Sequence, residues 1–161
     1  RESVGHLINL IRESLESTEK NTVKISEEIS IVREYVAFRM IVSPVTPNIL
    51  WNISENITGD EEIPNLAIQT HVENAIKYSG ADIIAINIRH GEGLLHIEIS
   101  DDGIGLANSH RDQSEGTGNG ILIMSRTIAA LNEGRKCKIS YSIESTEGSK
   151  GTTVIITIPE K

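Results

Sequence analysis

Four polar residues stand at helical spacing near the middle of the chain: Thr70, Glu73, Asn74 and Lys77. Positions i, i+3, i+4 and i+7 share one face of a helix, here the face opposite an apolar stripe. An amide oxygen and a carboxylate beside an ammonium group could hold a hydrated Mg²⁺ and the phosphates that it bridges, because Mg²⁺ takes few protein oxygens and keeps its waters. On this helix alone, a solvated surface is the favoured interpretation.

A second candidate site follows an alternating apolar stretch, where Asp101 and Asp102 precede Gly103-Ile104-Gly105. A carboxylate at the end of a strand can accept hydrogen bonds from a ligand, and the glycines allow the backbone to pass close to that ligand. Asp-Gly turns are common, so this motif has low specificity when it stands alone.

A third candidate is the segment 116–120, Gly-Thr-Gly-Asn-Gly, which leads directly into a predicted helix. Free backbone N–H groups and the helix dipole favour a phosphate at such a position. The segment is not a Walker A loop, because no Gly-Lys-Ser or Gly-Lys-Thr occurs, and it lacks the last glycine of the dinucleotide fingerprint. The polar residues 106–115 before it are typical of a mobile lid or of a disordered loop.

Apolar periodicity predicts the elements that position these candidates. Helical spacing predicts helices over residues 4–15, 26–40, 64–79 and 119–131. Ser26 is the expected N-cap of the second helix, and Pro64 is the expected first residue of the third. Alternation predicts strands over residues 48–56, 82–89, 94–100, 137–143 and 154–158.

The turn His90-Gly91-Glu92-Gly93 indicates a hairpin and therefore antiparallel pairing. This favours the α+β class over a doubly wound parallel sheet. We expect a two-layer α/β sandwich, in which helices cover a mixed, mainly antiparallel sheet and a helical segment precedes it.

Composition excludes several classes of protein. The 15 Lys and Arg against 23 Asp and Glu give a formal net charge of −8, and aromatic residues make up only 3% of the chain. Binding to nucleic acid is therefore unexpected. Cys137 is the only cysteine, which excludes an internal disulfide, and we expect a half-buried strand thiol. No apolar run approaches the ~18 residues of a membrane span.

The order of the three motifs resembles that of the Bergerat-fold (GHKL) ATPases, which include gyrase, MutL, heat-shock chaperones and histidine kinases. Within that superfamily, Ile63-Pro64, Gln69 and the segment 72–77 resemble the LytS/YesM-like sensor histidine kinases. Residues 26–39 also match, at the five positions Glu27, Glu28, Arg33, Tyr35 and Arg39. The resemblance covers nearly the whole chain.

The resemblance implies an ATP site with Mg²⁺ and assigns its residues. Asn74 would ligate Mg²⁺, Lys77 would contact phosphate, Asp101 would accept a hydrogen bond from the adenine amino group, and Thr152 would support Asp101 and the adenine. The resemblance also assigns glycines to the lid over the nucleotide and to the loop around its phosphates. The hinges of the nucleotide lid would be Gly103 and Gly105, and the residues closing over the phosphates would be Gly116, Gly118 and Gly120.

Departures from the family pattern bear on mechanism. Hydrolytic relatives carry a general-base Glu four residues before the Asn, where this chain has Thr70, so no carboxylate is expected to activate water there. Glu73 points about 100° away from Asn74 around the helix and would play a supporting role at most. The family's usual Pro after Gln69 is also Thr70, and its usual His after Lys77 is Tyr78.

No catalytic residue is assigned, because no histidine stands in the context of the family's phosphoacceptor. The five histidines are His6, His71, His90, His96 and His110. Of these, His6 is expected to pack or to cap a helix end. The chain opens on Arg1, already in a helical pattern, and we interpret it as a piece of a longer protein whose acceptor lies outside it.

The resemblance thus implies the catalytic domain of a bacterial two-component sensor histidine kinase. Residues 1–42 would be the end of the dimerisation region and residues 43–161 the ATP-binding domain. The implied partners are a response regulator and a second copy in the intact kinase. The domain would be cytoplasmic, with membrane attachment only through other segments. The alternatives are a catalytically silent pseudokinase acting through protein contacts and a protein-serine kinase of the anti-sigma type.

Overall fold

The computed structural model describes residues 21–43, 45–105, 118–145 and 150–160. The helices are α1 (Ile25–Val42), α2 (Gln69–Asn74), which continues as a π-helical turn (Ala75–Ser79), and α3 (Gly118–Glu133). The strands are β1 (Thr22–Lys24), β2 (Asn48–Ile53), β3 (Glu62–Pro64), β4 (Ile83–Gly91), β5 (Leu94–Asp101), β6 (Ser140–Ser145) and β7 (Thr152–Pro159). The helix predicted over residues 4–15, the stretch 106–115 and Gly116 lie outside the described residues.

Five strands form one sheet in the order β2-β4-β5-β7-β6, and β1 pairs with β3 in a separate two-stranded ladder. The β2–β4 pair is parallel and the other pairs of the large sheet are antiparallel. Glu92 and Gly93 join β4 to β5 with φ of 56° and 74°. Two central residues with positive φ match the twist of a hairpin, so the predicted turn and the predicted α+β class are confirmed.

The core lies between the helices and one face of the sheet. Alternate strand residues such as Ile86 and Ile97 are fully buried, and Val32, Val72 and Met124 from the three helices cover them. The intervening strand residues are half-buried or exposed. One buried and one solvated face are typical of an antiparallel sheet in a two-layer sandwich.

The predicted start of the second helix is wrong. Lys24 occupies the N-cap position of α1 and makes no side-chain capping bond. The backbone N–H groups of Ile25 and Ser26 instead donate to the carbonyl oxygens of Glu61 (2.8 Å) and Gly59 (3.2 Å). A loop distant in sequence satisfies these groups, so Ser26 is not needed as a cap.

The predicted start of the third helix is also wrong. Pro64 ends β3, and its carbonyl accepts the N–H of Ala67 in a turn, so α2 begins only at Gln69. Cys137 is exposed and precedes β6, contrary to the half-buried strand position expected for it.

The division at residue 42 stays a prediction. In the structure, Ile25 and Val32 of α1 are buried in the same core as the sheet.

No helix among the described residues combines the length and the apolar character needed to cross a bilayer.

Candidate functional site

A cleft opens between α2 and the ends of β5, β6 and β7. It has an empty volume of about 560 Å³, including the part open to solvent. Four of the predicted site residues line it, namely Asn74, Asp101, Gly105 and Thr152. They come from separate motifs of the sequence, and the fold brings them together.

Asp101 ends β5 and stands opposite Thr152 at the start of β7. Its Oδ1 accepts the backbone N–H of Gly103 at 2.9 Å. Burial raises the pKa of the Asp101 carboxyl, the N–H groups of Gly103 and Thr152 lower it, and the neighbouring Asp102 raises it further. Asp101 is therefore a half-buried acceptor whose orientation is fixed by backbone donors.

Gly103 permits a close approach between the loop after β5 and the end of the π-helical turn. A Cβ atom on Gly103 would lie 2.3 Å from the carbonyl oxygen of Ser79. The N–H of Ile104 donates to that same oxygen at 2.9 Å. Any larger side chain at Gly103 would separate the two walls of the cleft.

Gly151 is a second close contact, and it was not among the predicted site residues. Its φ is 144°, and a Cβ atom there would lie 2.1 Å from the carbonyl oxygen of Asp101. Glycine is therefore required directly beside the Asp101 backbone. The available signal was a glycine immediately before Thr152.

Only some of the polar side chains of α2 and the π-helical turn line the cleft. Asn74 lines the cleft, whereas Lys77 is exposed and is not part of the lining. Glu73 is also outside the lining, and its Oε1 accepts the Nε2–H of Gln69 at 3.0 Å. Tyr78, at the family's usual His position, lines the cleft.

Thr70 is buried against the start of α3. A Cβ atom on Gly120 would lie 3.0 Å from the Thr70 methyl carbon. Gly118 begins α3 and is therefore in the first turn of that helix. The position of the hydrolytic general base thus holds a side chain without a carboxylate, closely packed against the glycine-rich helix start.

His71 and Tyr141 form a polar pair that sequence reasoning missed. His71 lines the cleft with 4% of its surface exposed, and its Nε2 is 3.2 Å from the Tyr141 hydroxyl oxygen. Burial lowers the pKa of His71 to about 4 and raises the pKa of Tyr141 to about 12. Both side chains are neutral near pH 7. The pairing depends on tertiary contact and leaves no local signal in the sequence.

The family of the chain follows from the stretch that holds this cleft. The sequence profile of the histidine kinase-, DNA gyrase B- and HSP90-like ATPases matches residues 59–161. The chain belongs to this ATPase family. That stretch includes every cleft residue described above, and membership supports ATP as the ligand of the site.

Curated relatives of this ATPase domain are sensor proteins, as the sequence resemblance predicted. The chain is 24% identical to the sensor protein LytS of Enterococcus faecalis over 92% of its own length and 27% of the relative. It is 29% identical to the sensor histidine kinase YesM of Bacillus subtilis over 98% of its length and 27% of the relative. It therefore spans about a quarter of the length of these relatives.

Solved structures of the same fold are histidine kinase domains. The blue-light activated histidine kinase of Erythrobacter litoralis aligns with a TM-score of 0.62 at 16% identity, covering 98% of this chain and 74% of that one. The histidine kinase AdeS of Acinetobacter baumannii aligns with a TM-score of 0.59 at 18% identity, covering 98% and 78%. These likenesses support the predicted Bergerat fold.

Proposed function

We propose that the chain is the ATP-binding catalytic domain of a two-component sensor histidine kinase. It binds Mg·ATP for transfer of the γ-phosphoryl group to a histidine outside these 161 residues, and then to a response regulator. The observation that carries the proposal is the convergence of Asn74, Asp101 and Thr152 on one cleft. Similarity to LytS and YesM over nearly the whole chain supports it.

Asp101 recognises the adenine. A carboxylate accepts the hydrogen bond of the exocyclic amino group, and the N–H groups that hold Asp101 keep it in place before the ligand arrives. Aliphatic side chains supply much of the remaining contact surface of the cleft, among them Ile99, Ile143 and Val154, and the rings of His71 and Tyr78 also line it. In this proposal, hydrophobic contact with the aliphatic side chains is the main apolar contribution.

Asn74 holds the metal. No group of three or more His, Cys, Asp or Glu able to hold a metal occurs in the part of the chain that the structure describes. An amide oxygen together with phosphate and water fits Mg²⁺, which keeps several waters in nucleotide sites. When bound, Mg²⁺ neutralises phosphate charge. Lys77, Gly116, Gly118 and Gly120 contribute the remaining phosphate contacts in this proposal.

In this proposal the domain binds the nucleotide, and the described residues provide neither a water-activating carboxylate at position 70 nor an accessible acceptor at His71. Thr70 has no carboxylate, and His71 is buried, neutral and paired with Tyr141. Phosphoryl transfer requires a nucleophile aligned with the γ-phosphate, so the acceptor histidine comes from elsewhere in the intact kinase. We also propose that the kinase is a homodimer and that this domain is cytoplasmic, attached to a membrane only through segments outside this chain.

Calorimetric titration with Mg·ATP tests the adenine contact. Wild-type protein should bind, and Asp101→Asn should bind at least about ten-fold more weakly, a loss of about 1.4 kcal/mol. The matched control is Asp102→Asn, because Asp102 is exposed and its Oδ1 accepts the N–H groups of Asp82 and Ile83 instead. Absence of binding by the wild type, or equal binding by Asp101→Asn, would contradict the proposal.

Incubation with ATP labelled at the γ-phosphate tests the missing acceptor. The chain should stay unlabelled, and a longer protein that includes the upstream histidine should gain acid-labile phosphate. Labelling of His6 would show that the acceptor lies within the chain. A longer protein that binds ATP without becoming labelled would favour a pseudokinase, and transfer to a serine of a partner would favour a protein-serine kinase.

A further inference from the structure

A buried carboxylate of α1 caps the helix that carries Asn74. Glu28 has 0% of its surface exposed. Its Oε1 accepts the backbone N–H groups of Ile68 at 3.1 Å and Gln69 at 2.9 Å. These groups lie at the start of α2, where backbone donors have no partner within the helix. The cap of α2 is thus supplied by a residue forty positions earlier in the chain.

α2 depends on this cap for its position. It has six α-helical residues before the π-helical turn, and the side chain of Ile68 at its N-cap position makes no capping bond. Short helices are marginal without tertiary contacts. The first turn also holds Thr70, which contacts Gly120 at the start of α3. A shift of the capped turn therefore acts on α2 and on the start of α3, whose Ile121 lines the cleft.

α1 also contacts the π-helical turn that follows α2. Ile31 and Tyr35 of α1 pack against Ile76 of the π-helical turn. Asn74, by contrast, lines the cleft. None of the α1 residues is in the cleft lining, so the connection between α1 and the site runs through the helix that carries Asn74.

We propose that Glu28 is a positioning residue of the nucleotide site: through its Oε1, α1 fixes the first turn of α2 and so the placement of Asn74. The inference rests on the proposed binding of Mg·ATP. On this proposal α1 affects nucleotide affinity through Glu28 although none of its residues lines the cleft.

The hydrogen-bond acceptor at position 28, rather than the negative charge, performs this role. Burial raises the pKa of the Glu28 carboxyl and the neighbouring Glu73 raises it further, whereas the backbone N–H groups of Gln69, Ile68 and Leu66 offset that effect only in part. Its Oε2 has no hydrogen-bond partner among the described residues. A carboxamide, which retains one acceptor oxygen, should therefore replace the carboxyl, whereas an aliphatic side chain of similar volume should not.

The experiment compares Glu28→Gln with Glu28→Leu in the 161-residue chain, under conditions where circular dichroism shows each variant to be folded. Glu28→Leu should bind Mg·ATP at least about ten-fold more weakly and should exchange the amide protons of Ile68 and Gln69 at least about ten-fold faster. Glu28→Gln should stay within about three-fold of the wild type in both measurements.

Ile156→Ala is the control for a general loss of stability. Ile156 is fully buried in β7 and does not line the cleft. This variant should bind Mg·ATP within about three-fold of the wild type although it is destabilised. Equal loss of affinity in Ile156→Ala and Glu28→Leu, unchanged affinity in Glu28→Leu, or a Glu28→Gln variant as weak as Glu28→Leu would overturn the inference.

A measurement on the wild type covers the case in which Glu28→Leu does not fold. Because coupling between two sites is reciprocal, saturating Mg·ATP should slow amide exchange at Ile68 and Gln69 more than at Leu50 of the distant strand β2. Equal slowing at all three would overturn the inference. A wild type that does not bind Mg·ATP refutes the proposed function itself, an outcome seen before any Glu28 variant is compared.

Discussion

Burial favours the neutral forms of two ionisable side chains in the cleft. It raises the pKa of Asp101, where backbone N–H groups work in the opposite direction. It lowers the pKa of His71 to about 4 with no opposing contribution. Because backbone N–H groups hold the Asp101 carboxyl in place, its oxygens can accept hydrogen bonds from a ligand. His71 is a neutral part of the cleft wall.

The low pKa of His71 predicts a specific loss of stability in acid. In the folded protein the pKa of His71 is about 4, against the ordinary histidine value of 6.5, so the unfolded chain binds more protons between these two values. The contribution of neutral His71 to the free energy of unfolding is fully present above pH 6.5 and falls as the pH drops towards 4. His71 should contribute about 2–3 kcal/mol of the loss between pH 7.5 and 4.5.

Urea unfolding at both pH values measures this contribution. His71→Leu should lose about 2–3 kcal/mol less stability on acidification than the wild type. His96→Gln, a change on the half-buried solvated face of the sheet, should keep the wild-type difference. Parallel profiles of unfolding free energy against pH for His71→Leu and the wild type would contradict the low pKa of His71.

At the scale of elements, close backbone contacts join the strand ends to the helix beside them. Gly103 packs against Ser79 of the π-helical turn, and Gly151 packs against Asp101. These two contacts set the shape of the cleft before any ligand is present.

Gly151→Ala should lower the free energy of unfolding by about 2 kcal/mol or more, because the new Cβ meets the Asp101 carbonyl oxygen and the backbone has a positive φ. It should also weaken Mg·ATP binding, since Asp101 is displaced. The control is Gly134→Ala, whose Cβ meets no atom within 4 Å. Similar unfolding free energies for the two variants would show that a side chain at position 151 does not collide with the Asp101 backbone.

A cation–π contact joins α1 to the edge of the sheet. The guanidinium carbon of Arg33 lies 4.6 Å from the ring centroid of Trp51. A double-mutant cycle with Arg33→Met and Trp51→Leu should give a coupling energy of about 0.5–1 kcal/mol in urea unfolding. Additive effects of the two substitutions would show that the contact contributes nothing measurable.

The sequence predicted the elements better than their boundaries. Alternation and the turn at Glu92-Gly93 predicted the β4–β5 hairpin, because both signals are local. The helix starts at Ser26 and Pro64 were wrong because the actual acceptors, the Gly59–Glu61 loop and Glu28, are distant in the chain. Local capping rules cannot detect them.

Only part of the site was predicted, because local motifs reveal some of its residues and tertiary contacts bring in the others. Asp101 and Asn74 stand in motifs, so sequence order and resemblance identified them. The pair of His71 and Tyr141 joins residues 70 positions apart. Their pairing depends on how α2 packs over β6, which no spacing rule specifies.

At the scale of the whole molecule, the net charge opposes the proposed ligand. A chain of charge −8 repels a polyanion, so binding must depend on local groups and on the cation held by Asn74. ATP affinity should fall at least about ten-fold when Mg²⁺ is removed.

Asn74→Ala should abolish most of this dependence on Mg²⁺ in a calorimetric titration with and without the metal. Asn87→Ala is the matched control, because Asn87 lies on the solvated face of β4 and bonds to Asn52. A metal dependence that persists in Asn74→Ala would show that another group holds the ion.

The location of the nucleotide is the central claim, and an NMR titration of the ¹⁵N-labelled chain with Mg·ATP tests it most directly. The amide signals of Asn74, Asp101 and Thr152 should shift on binding. Those of His90 and Arg135, at the opposite end of the sheet, should not. Shifts confined to His90 and Arg135, or no shift at the cleft residues, would contradict the account.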